Sequence, residues 1–320
     1  MIRANEGRLL VLSYRNSLPN TASGADWYSS SPDSPARVEG SVRSSLRPRF
    51  VIAEGNTVSL QKGVLGTMRA PNPRSTSPRD AKQTYKRRIN VVVPIVGTVD
   101  NDLQYLAGPG TEIRVEQICN GPTSIESAYA AAIAVPEVIK KAREAETNGA
   151  DAVVISCMDD PGLAAARECL KIPVLGPSQT TMHLASMLGH RFSIVTTLES
   201  SVPGFENLAN LYGVGNLLAS VRWVPIPVVN LSDDPDETVR ALVEQSVAAV
   251  KHDGAHVIVL GCTAMSGLDK AVVKGLNEAG YQGIPVIDPL PTTIRMAEAI
   301  VDLGLTQSKR TYPMAQFEIY

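Results

Sequence analysis

The chain has 320 residues, 44% of them hydrophobic and 19% charged, which is room for one large or two medium globular domains. Its formal net charge of −2 hides an asymmetry: residues 1–88 hold 15 Lys+Arg against 6 Asp+Glu, which leaves 15 against 26 for residues 89–320. No apolar run approaches the about 20 residues that a membrane-spanning helix needs. Four cysteines without a CxxC pair or short regular spacing exclude a disulfide framework and a zinc knuckle, so free thiols in a reducing, cytoplasmic compartment are expected.

Residues 1–88 are rich in Ser, Pro and Arg and show no sustained period, so a disordered, solvated extension is expected there. Acids at Glu6, Asp26, Asp33 and Glu39 count against an organellar transit segment. From Ile89 the texture changes to short β-branched runs alternating with Ala/Glu/Lys-rich stretches, the pattern of parallel α/β layers. Strands are expected at 89–96, 112–119, 151–156, 173–176, 192–197, 222–230, 256–261 and 285–288. Helices are expected at about 126–147, 161–170, 178–188, 203–211, 235–252, 266–279 and 291–303, the fifth opened by Asp234 as cap before Pro235.

One stretch occurs twice. NGADAVVISCMDDPGL, followed by IPVLGP, aligns with DGAHVIVLGCTAMSGL, followed by IPVIDP. In both copies a β-branched strand leads into a cysteine, Cys157 or Cys262, and Gly-Leu follows five residues later. Two pseudo-symmetric parallel-sheet α/β domains of Rossmann type are therefore expected: 89–190, completed by the returning C-terminal helix 291–305, and 191–290. Ligands bind at the carboxyl ends of strands in such sheets, which brings Cys157 and Cys262 to opposite sides of one cleft. Each thiol is expected just before a helix N-terminus, with its pKa lowered toward neutrality.

Two thiols across a small molecule suit two-base racemisation, in which one thiolate removes a proton from an sp³ carbon and the other thiol protonates the opposite face. The amides of Met158, Asp159, Thr263 and Ala264 are expected to hold the oxygen on which enolate charge develops. No cofactor and no metal are required.

At this point the sequence resembles the Asp/Glu/hydantoin racemase superfamily, hydantoin/allantoin branch, through GPTSIES (121–127), CMDDPGLAAARE (157–168), IPVLGP (172–177), LGHRFSIVTTL (188–198), VIVLGCTAM (257–265) and PVIDPLP (285–291). The resemblance covers about residues 89–313 and implies two pseudo-symmetric α/β domains, a cysteine pair as catalytic bases, and neither pyridoxal phosphate nor metal. Many members of that superfamily carry Asn-Pro-Asn-Thr after the first strand, where this chain reads VVVPIVGTV, leaving Thr98 as the polar candidate. Asn-Thr does not follow Cys157, which argues against free aspartate or glutamate as substrate. The expected substrate is a cyclic ureide, a 5-substituted hydantoin or allantoin. The alternatives are an amino-acid racemase or related isomerase on this scaffold, or a non-catalytic small-molecule binding protein.

Ser178, Gln179 and Thr196 follow or end strands on the expected cleft side and are candidates for substrate hydrogen bonds, as is Asp159 as a polar wall whose charge raises the thiol pKa. Asp160, before Pro161, is expected to cap the next helix. His183 is a possible cleft residue. Cys169 and Cys119 are expected in the core. The expected partner is a small molecule, with no nucleic acid and no membrane, and a homo-oligomer is expected.

Overall fold

The computed structural model describes residues 87–316; the expected disordered extension falls almost wholly outside the described residues. Two four-stranded parallel sheets share one topology. Sheet A contains β1 (Arg87–Val93), β2 (Thr111–Gln117), β3 (Ala152–Ile155) and β4 (Val174–Leu175) in the order β2-β1-β3-β4. Sheet B contains β5 (Phe192–Thr197), β6 (Leu218–Val224), β7 (Val257–Leu260) and β8 (Val286–Ile287) in the order β6-β5-β7-β8. The duplication seen in the sequence is thus a duplication of architecture.

The central strands β3 and β7 read AVVI and VIVL and are buried throughout, because helices cover both faces of each sheet. Fully burying a side chain such as Ile155, Ile258 or Leu260 stabilises the fold by about 1.5–3 kcal/mol. The helices are α1 (Ala128–Thr147), α2 (Leu163–Cys169), α3 (Pro177–Leu188), α4 (Val202–Leu211), α5 (Pro235–Asp253), α6 (Asp269–Glu278) and α7 (Pro289–Asp302). Asp234 caps α5 by accepting from the Glu237 amide at 2.9 Å, and Gly254 ends it in the left-handed conformation.

The helix that follows the fourth strand of each sheet crosses to the other. Met182 and Ala185 of α3 pack with Phe192, Ile194 and Val257 of sheet B, whereas Leu290, Ile294 and Ala297 of α7 pack with Ile89, Val91 and Val154 of sheet A. The segment 177–188, expected within the first domain, therefore packs on the sheet of the second.

Strand β6 differs from the expected 222–230. It begins at Leu218, pairs along β5 from Phe192↔Leu218 to Thr197↔Val224, and stops before Pro225 and Pro227, which have no N–H to give to a ladder. Arg87 and Arg88, assigned above to the extension, belong to β1.

Candidate active site

A cleft of about 1330 Å³ opens at the carboxyl ends of both sheets and is lined by Cys157 and Cys262 together. Cys157 follows β3 by two residues and Cys262 follows β7 by two, so the matching strand orders of the two sheets make them counterparts. The two loops also touch: the Thr263 hydroxyl donates to the Ser156 carbonyl at 3.3 Å. At the residue before Cys262 the chain passes so close to β5 that a Cβ on Gly261 would stand 2.6 Å from Cβ and 2.7 Å from Cα of Thr196. Only glycine permits this approach.

Neither cysteine sits at the N-terminus of an α-helix, contrary to expectation. Cys262 precedes a 3-10 turn, Thr263–Met265, and Cys157 starts a turn closed by the Asp160 amide on its carbonyl at 3.0 Å; α2 begins only at Leu163, after Gly162. Nor are the thiols acidic. Burial pushes Cys157 well above the ordinary thiol value, opposed by the Asp159 amide, which donates to its sulfur at 3.5 Å. The negative charges of Asp159, Cys262 and Asp160 add to the rise. Burial also pushes Cys262 up to about 11, opposed by the amides of Ala264 and Met265. The backbone around each sulfur favours thiolate, but desolvation outweighs it.

Thr98, Met158, Asp159, Thr196, Thr263 and Ala264 all line the cleft with the cysteines. Thr98 is exposed at the rim, Met158 sends its side chain into the core of the second lobe, and the Thr196 hydroxyl donates to the Gly261 carbonyl at 3.3 Å. Burial pushes Asp159 up to about 6.

Ser178, Gln179 and His183 do not reach the cleft. The amides of Ser178 and Gln179 donate to the two carboxylate oxygens of Asp160 at 3.0 and 2.9 Å. The Ser178 hydroxyl bonds the Met158 carbonyl, and Gln179 accepts from Arg167 Nη2 at 2.7 Å. His183 is exposed, its Nδ1 2.8 Å from the Gln179 carbonyl. The physical reason is topological: these residues follow the edge strand β4, and α3 carries them toward the other lobe. Asp160 accordingly caps α3 rather than α2, and its carboxylate accepts a third bond from the Tyr212 hydroxyl at 2.7 Å. Cys119 is exposed and lies outside the cleft, whereas Cys169 packs against the first-lobe core as expected.

Sequence reasoning missed the loop before α1. Ser124, Ile125 and Glu126 line the cleft, Glu126 Oε1 accepts from the Val228 amide of the other lobe at 2.7 Å, and the buried Ser124 hydroxyl has no partner among the described residues. The signal was present in GPTSIES, read only as a point of resemblance. Among the described residues, no Lys, Arg or His lines the cleft, while Asp100, Glu126, Asp159 and Asp160 do. Among the described residues, no three His, Cys, Asp or Glu side chains gather as a metal site.

Two duplicated α/β lobes with a cysteine at matching strand ends define a class, and a family model described as Asp/Glu/Hydantoin racemase matches residues 93–297. The chain belongs to that family, a family of isomerases. It is 39% identical over 199 residues to a hydantoin racemase of Rhizobium meliloti, covering 62% of this chain and 80% of that protein. It is 35% identical over 232 residues to a hydantoin racemase of Pseudomonas sp. (strain NS671), covering 72% and 91%. Among solved structures, allantoin racemase from Klebsiella pneumoniae superposes with a TM-score of 0.66 at 33% identity, covering 73% of this chain and 96% of that one.

Proposed function

We propose that this protein racemises a cyclic ureide, a 5-substituted hydantoin or allantoin, with Cys157 and Cys262 as the two bases and without a cofactor. The observation that carries this reading is the shared cleft: thiols from corresponding positions of two duplicated lobes line one cavity. The family's hydantoin and allantoin racemases supply the substrate class.

In the reaction, the thiolate of one cysteine takes the C5 proton and the electron pair moves onto the adjacent carbonyl as an enolate. The thiol of the other cysteine then returns a proton to the opposite face as the carbonyl reforms. The pair ends with acid and base exchanged, and the reverse enantiomer uses the opposite assignment. Burial makes each thiolate scarce but strongly basic, and the amides of Asp159, Ala264 and Met265 favour the thiolate once it forms. A C5–H flanked by a carbonyl and a ureido nitrogen is more acidic than the α-hydrogen of a free amino acid, which suits thiol bases. An amino-acid substrate fits less well, because among the described residues no cationic side chain lines the cleft to receive its carboxylate.

The test is solvent deuterium incorporation at C5 of single-enantiomer hydantoins and allantoin, with aspartate and glutamate for contrast. Cys157→Ser and Cys262→Ser are each expected to abolish racemisation. Parental rates in both variants would remove the cysteines from the mechanism.

A further inference from the structure

Taking hydantoin racemisation as the reaction, we propose that Asp159 selects the 5-substituent: the cleft takes side groups rich in N–H donors, ureido, ammonium or guanidinium, and rejects carboxylates. Asp159 is fixed by the turn that carries the reacting thiol, since its own amide donates to Cys157 Sγ at 3.5 Å. Its carboxylate faces the start of α4, where a Cβ on Gly204 would be 3.8 Å from Oδ1. The carboxylate thus lies on the wall of the cleft that Cys157 also lines, between the cysteine turn and the second lobe.

The other three acids of the cleft are engaged by the chain itself. Asp160 accepts from Ser178, Gln179 and Tyr212, Glu126 accepts from the Val228 amide, and Asp100 accepts from the Asp102 amide at 2.9 Å. The Asp159 carboxylate, half-buried, has neither an ion-pair nor a hydrogen-bond partner among the described residues. A carboxylate withdrawn from water without a donor is destabilising, and a ligand N–H or cation that meets it offsets that cost. Among the described residues no cationic side chain lines the cleft, so a carboxylate-bearing substituent meets repulsion there. The buried Ser124 hydroxyl on the same cleft, without a partner among the described residues, is an independent sign of a surface shaped for a polar ligand.

The test uses the full chain and three hydantoins of graded charge, with 4-aminobutyl, 2-carbamoylethyl and 2-carboxyethyl groups at C5, followed by deuterium incorporation at C5. The parent is expected to favour aminobutyl over carboxyethyl by on the order of a hundredfold in kcat/KM at low salt, from one unscreened charge contact. Asp159→Asn is expected to shrink that ratio at least tenfold and Asp159→Lys to invert it, each measured against the neutral carbamoylethyl compound in the same variant. That internal reference removes general effects on folding or on the thiol. Equal ratios in parent and Asp159→Asn, or a parent that handles carboxyethyl as well as aminobutyl, would overturn the assignment alone. No exchange into any hydantoin by the parent would overturn the racemisation reading and the assignment with it.

Discussion

A Cβ on Gly176 would stand 2.4 Å from Cγ of Asp160, so the absence of a side chain at the end of β4 is what lets the Asp160 carboxylate reach the N-terminus of α3. The second lobe solves the same problem from the other side. Asp288 occupies the place of Gly176, and its Oδ2 accepts from the Gly267 amide at 2.6 Å and the Ser266 hydroxyl at 3.0 Å, while Oδ1 accepts from the Leu290 amide at 3.2 Å. Each lobe thus has one carboxylate tying the cysteine loop to the start of the next helix, supplied by the loop in one lobe and by the strand end in the other.

This relationship predicts a strong coupling. Gly176→Ala forces overpacking against a carboxylate that cannot leave, and is expected to cost about 1–3 kcal/mol. Asp160→Ala leaves the Ser178 and Gln179 amides and the Tyr212 hydroxyl without their acceptor, at about 1–3 kcal/mol for each buried group left unpaired. In the Asp160→Ala background, Gly176→Ala is expected to add less than about 0.5 kcal/mol, which denaturant titration of all four proteins measures. Strictly additive losses would show that the two residues do not constrain each other.

Tyr212→Phe is expected to destabilise the protein by about 1.5–3 kcal/mol, because it removes a donor to a buried carboxylate. Burial raises Asp160 from the ordinary carboxylate value to about 6, and the Tyr212 hydroxyl is the largest of the effects holding it down. The folded-state pKa lies above the unfolded one, so the contribution of this group is present below pH 4 and is lost as pH rises through 6. Removing the phenol raises that pKa further. The loss on Tyr212→Phe should therefore be larger at pH 8 than at pH 5, and paired melts at the two values test it. An equal loss at both would mean that the hydroxyl does not stabilise the ionised form.

The sheets and the cysteine pair were legible because β-branched runs and the Cys-to-Gly-Leu spacing survive in both copies. Features that depend on which lobe a segment joins were not. Ser178 and Gln179 follow a strand, as cleft residues should, but β4 is an edge strand and α3 leaves for the other lobe. The thiols were expected to be acidic from a place at a strand end just before a helix N-terminus, but a turn, not an α-helix, follows each. Their desolvation arises from both lobes closing over one cavity, a quantity no local window contains. For β6, apolar residues around Pro225 and Pro227 imitated a strand that the missing amide donors end at Val224.

The thiol pKa directions set the pH dependence. With Cys262 raised to about 11 and Cys157 also raised, the thiolate fraction of the free enzyme grows through the whole neutral range. We expect kcat/KM to climb about tenfold per pH unit from pH 6 toward pH 9, and iodoacetamide to alkylate the cleft cysteines slowly at pH 7 and progressively faster above it. The apparent values belong to the coupled pair, since the charge of Cys262 acts on Cys157. A rate already level between pH 6 and pH 8 would mean that a thiolate is preformed in the resting cleft.

The last prediction concerns Gly261. Its amide donates to the Val195 carbonyl at 2.7 Å, and any Cβ there would press on Thr196 main-chain and side-chain atoms together, so the contact cannot be relieved by a rotamer change. Gly261→Ala must therefore separate the ends of β5 and β7, and Cys262 moves with the latter. The expected result is a stability loss of about 1–3 kcal/mol with a fall in C5 deuterium exchange of at least about tenfold, since displacing a reacting group by an ångström is costly to rate. In the first lobe, Ser156 occupies the corresponding place and already carries a Cβ. Ser156→Ala should consequently cost much less stability than Gly261→Ala, as thermal melts would reveal. Full exchange activity in a folded Gly261→Ala protein would show that the close approach of β7 to β5 does not position Cys262.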